Sequence, residues 1–260
     1  WKACVVDANH FPAGFNNVAP EDEPLLSQLL HNHLQRRHPG CKWIHLYPES
    51  HTRNPAYVEN VSVIARLLKQ AGFRTTVGSP ELKGHGALDG ISGPLQLVEV
   101  EVDGDSLLIN GERPCLILLN NDLTGGIVPG LGNQPVYPPV EMGWHRRRKS
   151  EHYAALDEYV NEVCGMLGID PWHLTTSWIV SEDKCLDKEN CRIKLAADVN
   201  TFIQQIKQRY KKHGIDREPV VFVKNDRGTY GLGILTITSG EQLLQLSNRK
   251  MKKLSYSKGG

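Results

Sequence analysis

The sequence predicts an α/β fold. Helical runs with one apolar face alternate with short apolar strands through the N-terminal part of the chain. A continuous apolar run, Cys115 to Leu119, ends abruptly in the polar residues Asn120, Asn121 and Asp122, as a strand buried in a parallel sheet does. A long helical run, Ile193 to Lys212, leads into a strand, a glycine-rich turn and a second strand.

The elements follow in order. From Pro24 to His38, Leu25, Leu26, Leu29, Leu30 and Leu34 fall at helical spacing, and Pro39-Gly40 stops the run. Lys42 to Tyr47 alternates polar and apolar residues and reads as a strand. Asn54 as N-cap and Pro55 at the first helical position open a second helix, which carries Val58, Val61, Ile64, Ala65 and Leu68 on one face and ends at Gly72. Arg74 to Val77 is a short strand. Leu97 to Ile109 reads as a hairpin turning at Asp103-Gly104-Asp105. Leu123 to Gly143 is rich in Gly and Pro and has no period, the mark of a functional or disordered loop. Ser150 is placed to cap a helix reaching about Leu167, and Trp172 to Val180 reads as extended. Ser239 is placed to cap a last short helix.

Composition narrows the function. The 260 residues carry a formal net charge of +1, with 40% hydrophobic and 23% charged residues, which fits one large domain or two ordinary ones. Near-neutrality gives no broad basic surface for nucleic acid, and the apolar runs are too short to span a bilayer. No long apolar run marks a signal peptide. Six cysteines at 4, 41, 115, 164, 185 and 191 form no C-x-x-C pair, so neither a zinc site nor a disulfide framework is expected. Reduced thiols in a cytoplasmic protein are the expectation, with Cys4 and Cys115 as core residues in apolar runs. Oligomeric state is not readable. The chain lacks an initiator Met and ends in the basic stretch Lys252 to Gly260, so a fragment is expected.

The most informative segment is E-P-V-V-F-V-K-N-D-R-G-T-Y-G-L-G-I-L-T-I, residues 218–237. Glycines let backbone amides close on phosphate oxygens, because no Cβ blocks the approach. A Walker loop or a dinucleotide fingerprint runs from strand to helix. Here the turn joins two strands, and Lys224 comes before it, whereas in a protein kinase the lysine follows on a later strand. That order resembles the ATP-grasp fold, whose lysine and loop engage ATP phosphates. A plain surface turn is the competing reading of the loop alone.

Two further segments make the resemblance specific: L-L-N-N-D-L-T-G-G at 118–126 and G-W-H-R-R-R-K-S at 143–150. With V-K-N-D-R-G-T-Y-G-L-G-I at 223–234 they resemble the glutamate–cysteine ligase family of the proteobacterial type, over most of the chain from about Asn16 onward. The resemblance implies an ATP- and Mg²⁺-dependent ligase that joins the γ-carboxyl of L-glutamate to L-cysteine through an acyl phosphate, the first step of glutathione synthesis. It implies an α/β substrate-side domain over 1–190, similar to those that precede ATP-grasp domains, and the start of an ATP-grasp domain over 191–260. By position, Lys224 matches the ATP-contacting lysine, and Gly228, Thr229, Tyr230, Gly231 and Gly233 match the phosphate loop. The run Asn225-Asp226-Arg227 departs from the small or acidic residues usual there. The adenine hinge and metal ligands of such folds come after the hairpin, so they fall beyond Gly260 and no metal ligand is assigned. Another ligase of this fold with a different acceptor, or a non-catalytic nucleotide-binding protein, stays open.

The remaining candidates rest on residue type. Arg146, Arg147 and Arg148, with Lys149, form a cation cluster suited to carboxylates and phosphates, against the plainer reading of a solvated turn. Asn120, Asn121 and Asp122 are candidates for the amino-acid substrate's ammonium and carboxylate, or else a turn cap. Lys194 is a second candidate ATP lysine, and His145 a candidate base.

Overall fold

The computed structural model describes residues 2–50, 54–181, 188–226 and 234–247. They form two compact units, one of Asn9–Arg146 and one of Trp1–Ala8 with Arg147–Gly260. The division expected at 190/191 falls inside the second of these.

In chain order the Asn9–Arg146 unit contains α1 (Glu23–Arg37), β1 (Trp43–Pro48), α2 (Pro55–Gln70), β2 (Arg74–Val77), β3 (Ala87–Gly90), β4 (Gly93–Gln96), β5 (Glu101–Asp103), β6 (Ser106–Leu108), β7 (Leu116–Asn120) and β8 (Val136–Tyr137). A four-stranded sheet of order β2-β1-β7-β8 organises it, with every pair parallel. β3–β4 and β5–β6 are antiparallel hairpins. Asn54 caps α2, its side chain accepting from the N–H groups of Ala56 and Tyr57, with Pro55 following as the sequence predicts.

Both faces of the sheet are covered. On one, Ile44, Leu46, Leu116 and Leu118 pack against Val61, Ile64 and Leu68 of α2 and Leu34 of α1. On the other, Trp43, Tyr47, Ile117 and Leu119 meet Leu107, Ile109 and Leu123. The strand read over residues 42–47 is present as β1, and despite its alternating residue types all of it is buried. The polar member, His45, is satisfied by Thr76 Oγ1 and the Gly78 carbonyl, each at 3.0 Å.

The leucine face predicted for α1 is corrected in part. Leu25 and Leu29 are 60% and 54% exposed. Leu34 of the predicted face does pack in the core with α2, and beside it α1 meets α2 through a polar stripe. Glu23 pairs with Arg66 at 2.6 Å, Ser27 Oγ bonds Gln70 Oε1 at 3.0 Å, and the His31 ring meets the Ala71 carbonyl at 2.8 Å.

The other unit contains α3 (Lys149–Leu167), α4 (Glu189–Lys212), β9 (Val221–Val223), β10 (Leu235–Ile237) and α5 (Glu241–Leu244). β9 and β10 pair antiparallel, as the sequence predicts for strands flanking the glycine-rich turn. Leu195, Val199, Phe202 and Ile203 of α4 form a small core with Val221, Ile237 and Leu243. Gly240 lets α5 approach α4, since a Cβ there would lie 2.1 Å from the Ala196 carbonyl oxygen. Residues 171–173 form a single 3-10 turn and residues 174–180 no regular strand, in place of the expected extended run. Ser239 is not the cap of α5, whose N-cap is Gly240. No helix among the described residues is long and apolar enough to cross a membrane.

Candidate functional site

The sheet order sets one site. β1 is joined through α2 to β2 on one side and pairs with β7 on the other, so β1 and β7 flank a switch point, and ligands of open α/β sheets bind beyond the carboxyl ends there. The last ladder pair is Pro48 with Asn120. Beyond it the Tyr57 hydroxyl enters between the strands, accepting from Glu49 N–H at 2.7 Å and donating to the Asn120 carbonyl at 2.8 Å. Burial first, aided by the Glu49 and Asp122 carboxylates, pushes that hydroxyl well above its usual pKa, so it remains a donor. Glu49, 6% exposed, accepts from Asp122 N–H at 2.6 Å.

The three predicted polar residues divide their work. Asn120 donates to the Pro12 carbonyl, which also accepts from Asn60 at 3.4 Å, so the two amides hold the 12–15 segment. Asn120 Oδ1 is buried with no partner among the described residues. Asn121 bonds the Pro48 carbonyl and the Leu123 N–H, holding Leu123 at φ +50°. Asp122 offers its carbonyl to Trp144 N–H at 2.8 Å, while the His145 ring meets the Leu123 carbonyl at 3.1 Å. Gly143 makes this fold-back possible, because a Cβ would lie 2.9 Å from Leu123 Cβ. The first half of the G-W-H-R-R-R-K-S segment is thus fastened to L-L-N-N-D-L-T-G-G.

Its second half joins the segment that carries Lys224. Asp226 accepts from Ser150 N–H and Ser150 Oγ, both at 2.8 Å, and its carbonyl accepts from Lys149 N–H at 3.0 Å. Ser150 therefore does not cap α3 as predicted. It lies within the first turn, and Asp226, remote in sequence, satisfies the orphan N–H groups that Ser150 was expected to serve.

Three cations gather around this anchor. Arg147 and Lys149 are each only 8% exposed. Arg147 donates to the Ala8 carbonyl at 2.9 Å, and Lys224 Nζ to the Val6 carbonyl at 3.2 Å. Burial holds the Lys149 ammonium below its usual pKa, the Arg147 and Lys224 charges push the same way, and Asp7 and Asp226 oppose them. Two buried cations beside a partly exposed third form a positively charged group suited to an anion of several charges.

The predicted triad of arginines is therefore unequal: Arg147 is buried, Arg148 half-buried and Arg146 exposed. Lys194 lies exposed on α4. Gly228, Thr229, Tyr230, Gly231 and Gly233, with Arg227, lie outside the described residues. Sequence reasoning missed Glu49, Tyr57 and Asn60. An acid two residues past a predicted strand, as Glu49 follows Lys42–Tyr47 and Pro48, was the available signal for the first.

Fold and sites define a class, an α/β protein with a buried polar cluster at the carboxyl ends of a parallel sheet and a cation group beside a lysine-bearing hairpin. The chain belongs to the glutamate–cysteine ligase family, whose profile, GshA: Glutamate-cysteine ligase, matches residues 1–260. This bears out the resemblance seen in the three segments. Among solved structures it is similar to the crystal structure of a "Putative gamma-glutamylcysteine synthetase" from Methylobacillus flagellatus KT, with 34% identity and a TM-score of 0.86. The match covers 98% of this chain and 61% of that one, so the chain spans 61% of that protein's length. No curated protein matches the chain.

Proposed function

We propose that this chain works as a glutamate–cysteine ligase, joining the γ-carboxyl of L-glutamate to the amine of L-cysteine at the expense of ATP in the cytoplasm. The observation that carries the proposal is the family match along the whole chain. The hairpin β9–β10, with Lys224 at the end of its first strand, supports an ATP-grasp assignment for this region.

The residues suit a nucleotide's phosphates. Arg147, Lys149 and Lys224 are the groups to hold them, because their crowded charges are relieved by an anion. ATP, when bound, supplies the phosphoryl group that activates the γ-carboxylate. The protein's share is positioning and charge stabilisation, and no covalent nucleophile is required. Asp226 fixes the backbone of Lys149 and the side chain of Ser150, so it sets where the cations stand. Mg²⁺ in phosphoryl-transfer sites is held by one or two carboxylates together with the phosphates. Among the described residues no group of three metal-ligating side chains gathers, so no ligand is assigned. Asn120, Asp122 and Glu49, at the carboxyl ends of β1 and β7, are assigned to the amino-acid substrate, with Asn121 shaping the turn.

The test is ADP release with ATP, Mg²⁺, glutamate and cysteine. Release that needs both amino acids, with a product of the mass of γ-glutamylcysteine, is expected. ADP release supported by a different acceptor would replace cysteine while keeping the ligase. Nucleotide binding without release under any pairing would contradict the proposal.

A further inference from the structure

At the amino ends of β1 and β7, away from the carboxyl-end polar cluster, two cysteines meet. Cys41 Sγ lies 2.9 Å from Cys115 Sγ, against about 2.05 Å in a disulfide. Their surroundings differ. Cys115 is exposed, and its sulfur accepts from two backbone N–H groups, Lys42 at 3.2 Å and Trp43 at 3.1 Å. Cys41 is buried, 6% exposed, and its thiol faces Cys115 and the Trp43 carbonyl. This also corrects the expectation that Cys115 is a core residue: it sits one position before the buried strand, with its sulfur held by backbone amides.

The charge preferences follow from that geometry. Burial alone would raise the Cys115 thiol, but the Cys41 hydrogen bond and the two amides outweigh it and bring its pKa below the usual thiol value. Burial first, then the Cys115 neighbour, pushes Cys41 up to about 12. Redox-sensitive cysteines are accessible, have thiolate character and stand beside a second thiol that can resolve them.

We infer that Cys115 and Cys41 form an oxidation site, with Cys115 as the attacking sulfur and Cys41 as the resolving one, and a hydroperoxide as oxidant. The Cys115 thiolate attacks the distal peroxide oxygen, breaking the O–O bond. This gives Cys115 sulfenic acid and, after proton uptake, an alcohol or water. Cys41 then attacks the Cys115 sulfur, the S–S bond forms, and the oxygen leaves as water with the Cys41 proton. Two thiols lose two electrons in all, and the peroxide gains them.

Cys4 and Cys191, partly buried and in the same chain, are internal controls. In native protein, alkylation by iodoacetamide followed by peptide mass spectrometry should label Cys115 about tenfold faster than either. One equivalent of hydrogen peroxide should yield a peptide pair joined through Cys41 and Cys115, two hydrogens lighter than the reduced pair. In Cys41→Ser the sulfenic acid should persist on Cys115 and be trapped by dimedone. Labelling of Cys115 no faster than of Cys4 and Cys191, or peroxide-induced disulfides without preference for this pair, would overturn the inference. The alkylation comparison uses the unaltered chain, so it stands even if a variant folds poorly.

Discussion

The polar cluster at the sheet's end and the cation group beside the hairpin handle polar residues in opposite ways. In the cluster, most groups are matched to neutral partners. Tyr57 links two strand ends, Asn60 and Asn120 share a carbonyl, and Glu49 receives a backbone N–H. Around Lys224, two cations, Arg147 and Lys224, donate to backbone carbonyls, and Lys149 is held below its usual pKa by burial and these neighbours against Asp7 and Asp226. A saturated network gives rigidity and shape, whereas a strained like-charge group gains when an anion arrives. On the proposed function, the first region would orient the amino acid and the second would take the phosphate charge.

That separation can be broken, first, at Lys224. Lys224→Ala should lower ADP release by about 10³-fold, of the order lost when a transition-state charge loses a donor, while leaving unfolding by urea nearly unchanged. Retention of normal turnover would remove this region from the chemistry.

Next in size is acid lability in the sheet. Burial holds His45 neutral, with its pKa lowered to about 4, against about 6.5 in an unfolded chain. The unfolded chain therefore takes up a proton first. Stability from this source is intact above pH ~6.5 and is lost as pH falls through ~4, by about 3 kcal/mol. Urea unfolding across that range, followed by hydrogen exchange in β1, should show the loss, and His45→Gln should flatten it. An equal slope in the variant would refute the assignment.

Tyr57→Phe should cost about 2 kcal/mol, because a buried N–H and a buried carbonyl lose a shared partner. Asp226→Ala should cost about 1 kcal/mol, the usual effect of losing a helix cap. Its exchange protection should fall at the start of α3 and not in β1. A uniform loss across both units would mean that the two regions are one cooperative element.

Elements governed by local chemistry were legible in the sequence. Asn54-Pro55 and Gly72 bound α2, Gly214 ends α4, and the run ending at Asn120 is the buried strand it reads as. What escaped depended on partners distant in sequence. Ser150 reads as a cap until Asp226 is brought to it. Of the leucines of α1 that read as its inner face, Leu34 is buried, whereas Leu25 and Leu29 are exposed and Glu23 and Ser27 meet Arg66 and Gln70. β8 escaped because two residues, Val136 and Tyr137, are too few for any period and gain strand geometry only by pairing with Ile117 and Leu118. Among the arginines, type alone gave the cluster, but burial, a tertiary property, distinguishes Arg147.

The most direct test of the division of labour is calorimetric titration of ATP and of glutamate, separately, into the unaltered protein, Lys224→Ala and Glu49→Gln. The account predicts that Lys224→Ala weakens ATP binding about tenfold or more and leaves glutamate unchanged, with the reverse for Glu49→Gln, consistent with losing one charged contact. Equal weakening of both ligands by either variant, or of neither by both, would contradict it.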